Sequence, residues 1–163
     1  MTLQFHFEKS VQAAAVLLHL DGKRMEKIRL LKLLYIADRE MLAECGQSIT
    51  GDTGHAMNHG PVLTRIYDCI KGQDARAGEW DNFVHSDGHS VMLVSEPDRG
   101  RLSRAEIEKL TDVTERHRNM SEWDISEATH QFPEWIDHFV KDGSRRIPWE
   151  AMLKAQGKSK GTF

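Results

Sequence analysis

Cysteine is nearly missing from this sequence: Cys45 and Cys69 are the two thiols in 163 residues. No short spacing joins them, so they form neither a redox CxxC pair nor a zinc knuckle. They read as two partly buried free thiols, which suits a reducing cytoplasm. A basic excess is also missing. The formal net charge is -3, so bulk electrostatics do not advertise a nucleic-acid partner, and none is expected. The basic clusters at 99–104 and 116–118 and the pair Arg145-Arg146 leave a local patch open, although such clusters are more often solvated surface. Long apolar runs are absent as well. The densest stretch, 28–37, is interrupted by Arg29 and Lys32 and is too short and too charged to span a membrane. The opening MTLQFHFEKS lacks the positive start and apolar core of a signal peptide. These absences together point to a cytoplasmic protein without a membrane partner.

The motifs of catalysis and cofactor binding are missing too. No GxSxG elbow and no HExxH string occurs. The glycines of TGDTG (50–54) do not have the spacing of a phosphate loop and follow no strand, so they read as a turn. His55 and His59 are four apart, as are His85 and His89. That spacing makes a ligand pair only on a helix, and here one pair falls in an expected loop and the other spans a tight turn. Cys45 and Cys69 lie near helix C-termini, where the dipole opposes a thiolate. The expectation is a protein with no catalytic residues, no metal and no cofactor, and hence not an enzyme.

What is present is an ordinary single domain. Hydrophobic residues make up 39% of the chain, enough for a core without disulfides. The domain is expected over 1–156, with 157–163 as a flexible tail. Apolar spacing predicts helices over 8–20 and 24–44, the second with an apolar arc so wide that it must be central. Residues 47–59 read as a loop, and Gly60-Pro61 as an N-cap and first position of a short helix that Gly72 ends. A polar linker over 73–79 leads to a hairpin, with 80–85 and 89–94 flanking Ser86-Asp87-Gly88. Ser103 with Glu106 and Ser121 with Asp124 read as capped helix starts, the first helix running to about 117 and the second to about 132. Short helices are expected over 134–140 and from Pro148 to about 152. The fold class is therefore mainly α, a compact multi-helix domain with one small antiparallel β-hairpin (α+β).

Asp38 is the most informative single residue. It falls inside the apolar arc of the central helix, between Leu34 and Leu31, where a carboxylate needs a partner. His59, Arg65 and the backbone amides of the 47–59 loop are the candidates. An anchor for that loop is the expected role. A general acid or base is not, because no second carboxylate or nucleophile is placed beside it. Trp80, Trp123, Trp135 and Trp149 all lie in the C-terminal half, either as core or as anchors of a protein interface.

LLKLLYIADRE (30–40), GQSITGDTGHAMNHGPV (46–62), IYDCIKG (66–72), LSRAEIEKLTDV (102–113) and SEWDISEATH (121–130), in this order, resemble the Panacea domain. That family is also described as SocA-like antitoxins and as phage-associated GepA-like proteins. The resemblance covers roughly 8–140, with Asn58 where a lysine is often seen. It implies an antitoxin of a bacterial or phage toxin–antitoxin pair that neutralises a cognate toxin by direct binding. The alternative it carries is a proteolytic adaptor that delivers a toxin to a Clp-type protease. A homodimer stays open. Asp52, His55, Asn58, His59, Arg65 and Tyr67, with Asp38 behind them, are the candidate partner-binding or loop-anchoring residues, since they sit in or beside the loop and loops carry recognition.

Overall fold

A computed structural model describes residues 4–98 and 100–159. Residues 1–3 of the opening segment, Arg99 of the first basic cluster and 160–163 of the expected tail lie outside the described residues. Along the chain run α1 (Phe7–Leu20), β1 (Arg24–Glu26), α2 (Lys27–Cys45), β2 (Gly54–Met57), β3 (Gly60–Leu63), α3 (Thr64–Lys71), α4 (Ala77–Asp81), β4 (Val84–Asp87) and β5 (Ser90–Leu93). Then follow α5 (Arg104–Arg116), α6 (Glu122–Thr129), α7 (Pro133–His138), β6 (Arg145–Ile147) and α8 (Trp149–Ala155).

The central helix is α2. Its Leu30, Leu33, Leu34, Tyr35 and Ala37 are at most 1% exposed, because α1, α5, α6, α8 and β3 pack around it on several sides. Burying each of its leucines contributes about 1.5–3 kcal/mol. The capping boxes at Ser103 and Ser121 form as the sequence suggests: each hydroxyl accepts the backbone amide three residues on, and Glu106 and Asp124 reach back to the serine amides. They fix the starts of α5 and α6 against α2.

The expectation of one hairpin is corrected. Helices dominate, but the described residues also form two three-stranded antiparallel sheets, ordered β1-β5-β4 and β3-β2-β6. Residues 24–26 were expected within the central helix and instead form β1, pairing Met25 with Val91. Both of those side chains are buried, and the third strand supplies what an isolated hairpin lacks. The expected loop at 47–59 and helix start at 60–61 contain the β2–β3 hairpin, turning at Asn58-His59. Pro61 lies on β3, an edge strand, where a missing N–H is tolerated; the helix begins only at Thr64. The expected linker and the first part of the expected strand at 80–85 hold α4, which places Trp80 in the core at 1% exposure. The β4–β5 turn is Gly88-His89, a little beyond the Ser86-Asp87-Gly88 expected for it. α6 ends at Thr129 rather than near 132, and Pro133 opens α7, which ends at His138. β6 was not expected, and Pro148 caps α8 from outside instead of opening it.

Candidate functional site

The 46–54 segment is held from two sides by buried carboxylates. Asp38, 3% exposed on α2, accepts the amides of Ile49 at 2.9 Å and Thr50 at 3.1 Å, and also the Thr50 hydroxyl. Burial pushes Asp38 up to about 7, against these three hydrogen bonds, which favour the ionised form. Asp52 accepts the amides of Arg65 at 3.1 Å and Ile66 at 2.9 Å. It therefore caps α3 from thirteen and fourteen residues upstream of the amides it accepts, in place of Leu63, which has no capping side chain. Burial raises the Asp52 pKa as well. Gly51, at φ +71°, passes so close to the N-terminal segment that a Cβ would stand 1.9 Å from the Gln4 carbonyl oxygen. The TGDTG run is thus a knot joining α2, α3 and the segment before α1.

Separate from this knot, a cleft of about 710 Å³ opens between α2 and the tip of the β2–β3 hairpin. Lys27, Ile28, Leu31 and Lys32 line it from α2, and Met57, Asn58, His59, Gly60 and Val62 from the hairpin. Tyr67, His89, Glu122, Trp123, Asp142 and Gly143 complete the walls. The tip is tied down at three points. Ser126 donates to the His59 carbonyl at 2.6 Å, and the Trp135 indole donates to the Met57 carbonyl at 2.8 Å. Asn58 donates to Asp142 Oδ1 at 2.9 Å and accepts the Asp142 amide at 2.8 Å. His130, Trp135 and Phe139 stack behind the tip, with centroids 4.4 and 4.6 Å apart. At the lip, Trp123 is 57% exposed, and its ring meets His59 edge-on at 6.3 Å. At the floor, Lys32 is 1% exposed and donates to the Pro61 carbonyl at 2.6 Å. Burial lowers its pKa to about 7.

The seven candidate residues therefore separate. Asn58, His59 and Tyr67 line the cleft. Asp38 and Asp52 do not line it and hold the knot instead. His55 hydrogen-bonds the Thr64 hydroxyl through Nδ1, and burial lowers its pKa. Arg65 pairs with Asp74 at 3.0 Å and does not line the cleft. Of the candidate partners of Asp38, the loop amides fill the role; neither His59 nor Arg65 does. Trp80 and Trp149 are core, Trp135 is half-buried, and Trp123 is the surface tryptophan.

Sequence reasoning missed Lys32, which was read only as an interruption of the apolar stretch. It also missed Glu134. That buried carboxylate on α7 accepts the Tyr35 hydroxyl at 3.2 Å and both Nε and Nη2 of Arg39, pinning α7 to α2. Burial, with Glu134 beside it, raises the Tyr35 pKa well above its ordinary value.

Other chemistry-bearing groups lie outside the cleft. Cys45 is exposed rather than partly buried; Cys69 is buried, and its thiol is pushed up to about 12. Of the basic clusters, Arg104 pairs with Glu108, Arg116 with Glu40 and Asp112, and Arg118 with Glu115. Among the described residues, no group of three or more His, Cys, Asp or Glu side chains is placed to hold a metal ion, and no helix is long and apolar enough to cross a membrane.

Residues 30–136 match the family model described as "Antitoxin SocA-like, Panacea domain". The matched span contains the knot and most of the cleft. No curated protein and no solved structure matches the chain.

Proposed function

The chain belongs to the SocA-like, Panacea-domain antitoxin family, and from that premise we propose that it neutralises a cognate toxin by binding it directly, through the cleft between α2 and the β2–β3 hairpin. The observation that carries this reading is Trp123. A large aromatic side chain, 57% exposed, stands on a rigid lip beside a pocket of about 710 Å³. Leaving such a ring in water is unfavourable, and tryptophan is enriched among the residues that dominate protein–protein affinity. The capping box at Ser121 and the ties to Ser126, Trp135 and Asp142 hold both walls before the partner arrives. Pre-organisation of this kind lowers the ordering cost of binding. Asn58, His59 and Tyr67 contact the toxin in this reading, while Asp38, Asp52, His55 and Arg65 hold the scaffold.

The protein acts by occupying its partner rather than by chemistry, and needs no cofactor. It works in the cytoplasm, where Cys45 and Cys69 stay reduced.

Co-expression with the product of the neighbouring gene tests the function. The expected result is a neighbour that is toxic alone, tolerated together with this protein, and recovered intact in complex with it. A neighbour whose toxicity is relieved only because a Clp-type protease removes it would overturn direct neutralisation in favour of an adaptor. A neighbour with no effect on growth, alone or together, would overturn the antitoxin reading.

A further inference from the structure

Lys32 is an amine with too few partners for its depth. It is 1% exposed, and among the described residues no carboxylate forms an ion pair with it. The Pro61 carbonyl, at 2.6 Å, is its single hydrogen-bond acceptor there. An ammonium carries three N–H donors, so one neutral acceptor leaves the group under-satisfied, and a buried charge without a counter-ion is strongly unfavourable. Neither of the two carboxylates that line the cleft pairs with it. Asp142 is tied to Asn58. Glu122 faces Glu26 and His89, and burial first, then Glu26, raises its pKa. Its bond to the Pro61 carbonyl ties β3 to α2, but that bond needs one N–H donor and not a charge. Lys32 nevertheless lines the cleft, together with the apolar Ile28, Leu31 and Val62.

We propose that Lys32 is the recognition point for an acidic side chain of the toxin, whose carboxylate enters the cleft past Trp123 and pairs with the Lys32 ammonium. This rests on the cleft being the toxin-binding surface. The charge supplied by the partner is the one that the fold leaves out. In the free protein, burial holds the amine at about 7, so it gives up or regains its proton readily. An arriving carboxylate fixes the charged form, and a charge-assisted hydrogen bond in this shielded place is stronger than one at the rim. Gly60 keeps the hairpin close to this amine: a Cβ there would lie 3.1 Å from Lys32 Nζ and 2.6 Å from Thr129 Oγ1. The site is selective in the same way, because a partner offering an amide or an aliphatic group would leave the ammonium uncompensated.

The test is calorimetric titration of the purified toxin into the wild-type protein, Lys32→Met and Trp123→Ala, together with a scan of the toxin's Asp and Glu residues to Asn and Gln. The expected result is that Lys32→Met remains folded and binds at least tenfold more weakly. One acidic residue of the toxin should show a loss of similar size against the wild type and none against Lys32→Met. If Trp123→Ala weakens binding but Lys32→Met binds within twofold of wild type, the acidic contact is refuted and the cleft stands. If neither variant weakens binding, the cleft and the contact both fall. The toxin scan is independent of how Lys32→Met folds: if no single acidic residue of the toxin is needed for wild-type affinity, the proposal is overturned.

Discussion

Asp38 and Thr50 meet twice: the Asp38 carboxylate accepts the Thr50 amide at 3.1 Å and the Thr50 hydroxyl as well. Thr50 Oγ1 in turn accepts the Asp52 amide at 3.1 Å, and Asp52 caps α3. One carboxylate on the central helix thereby sets the path of the chain into the hairpin whose tip forms the cleft wall.

Asp38→Ala should destabilise the protein by more than about 1 kcal/mol, because it leaves the buried amides of Ile49 and Thr50 without an acceptor. Urea denaturation of the variant checks this. An unchanged midpoint would contradict the anchoring role.

Two buried titrating groups of this region, Asp38 and Lys32, act in opposite pH windows. Asp38 is raised from 3.8 to about 7. The folded state therefore holds its proton more tightly than the unfolded chain, and its contribution to stability is complete below about pH 4 and lost as pH rises to 7. Lys32 is lowered from 10.5 to about 7. Its contribution is complete above about pH 10.5 and lost as pH falls to 7. Chemical denaturation across pH should show Asp38→Asn flattening the slope between 4 and 7, and Lys32→Met flattening it between 7 and 10.5. Slopes unaltered by these substitutions would contradict the assignment.

Arg39→Met should cost about 3 kcal/mol by leaving the Glu134 carboxylate buried without its cation. Adding Glu134→Gln should recover most of that loss, since the uncompensated charge goes with it. Thermal or urea unfolding of both variants reads the difference. A double variant no more stable than Arg39→Met would show that the guanidinium matters for its packing over Phe132, 3.9 Å away, rather than for its charge.

Features encoded by local spacing were legible in the sequence. The wide arc of α2 and the two capping boxes follow from neighbours a few residues apart, and Asp38 declared itself as a charge inside an apolar pattern. Lys32 carried the same signal but was read as an interruption of the apolar stretch. The β strands were harder. β1 and β6 are three residues long and have no readable period of their own; they exist because β5 and β2 offer edges. HGPV misled because Gly-Pro punctuates an edge strand as readily as a helix start. The Arg39–Glu134 pair joins residues 95 apart, and no local pattern announces it. Of the cleft lining, Asn58, His59 and Tyr67 had been singled out because they lie in or beside a loop, whereas Trp123 could not be told from the core tryptophans until the surface was known.

The affinity of Trp123→Ala for the toxin tests the central claim most directly. Ser121 and Asp124 still cap α6 in that variant, so it should fold as the wild type does. The account predicts that it binds the toxin at least thirtyfold more weakly, a loss of about 2 kcal/mol or more, and fails to relieve toxicity. A folded Trp123→Ala protein that binds with unchanged affinity would contradict the account and place the toxin on another face of the molecule.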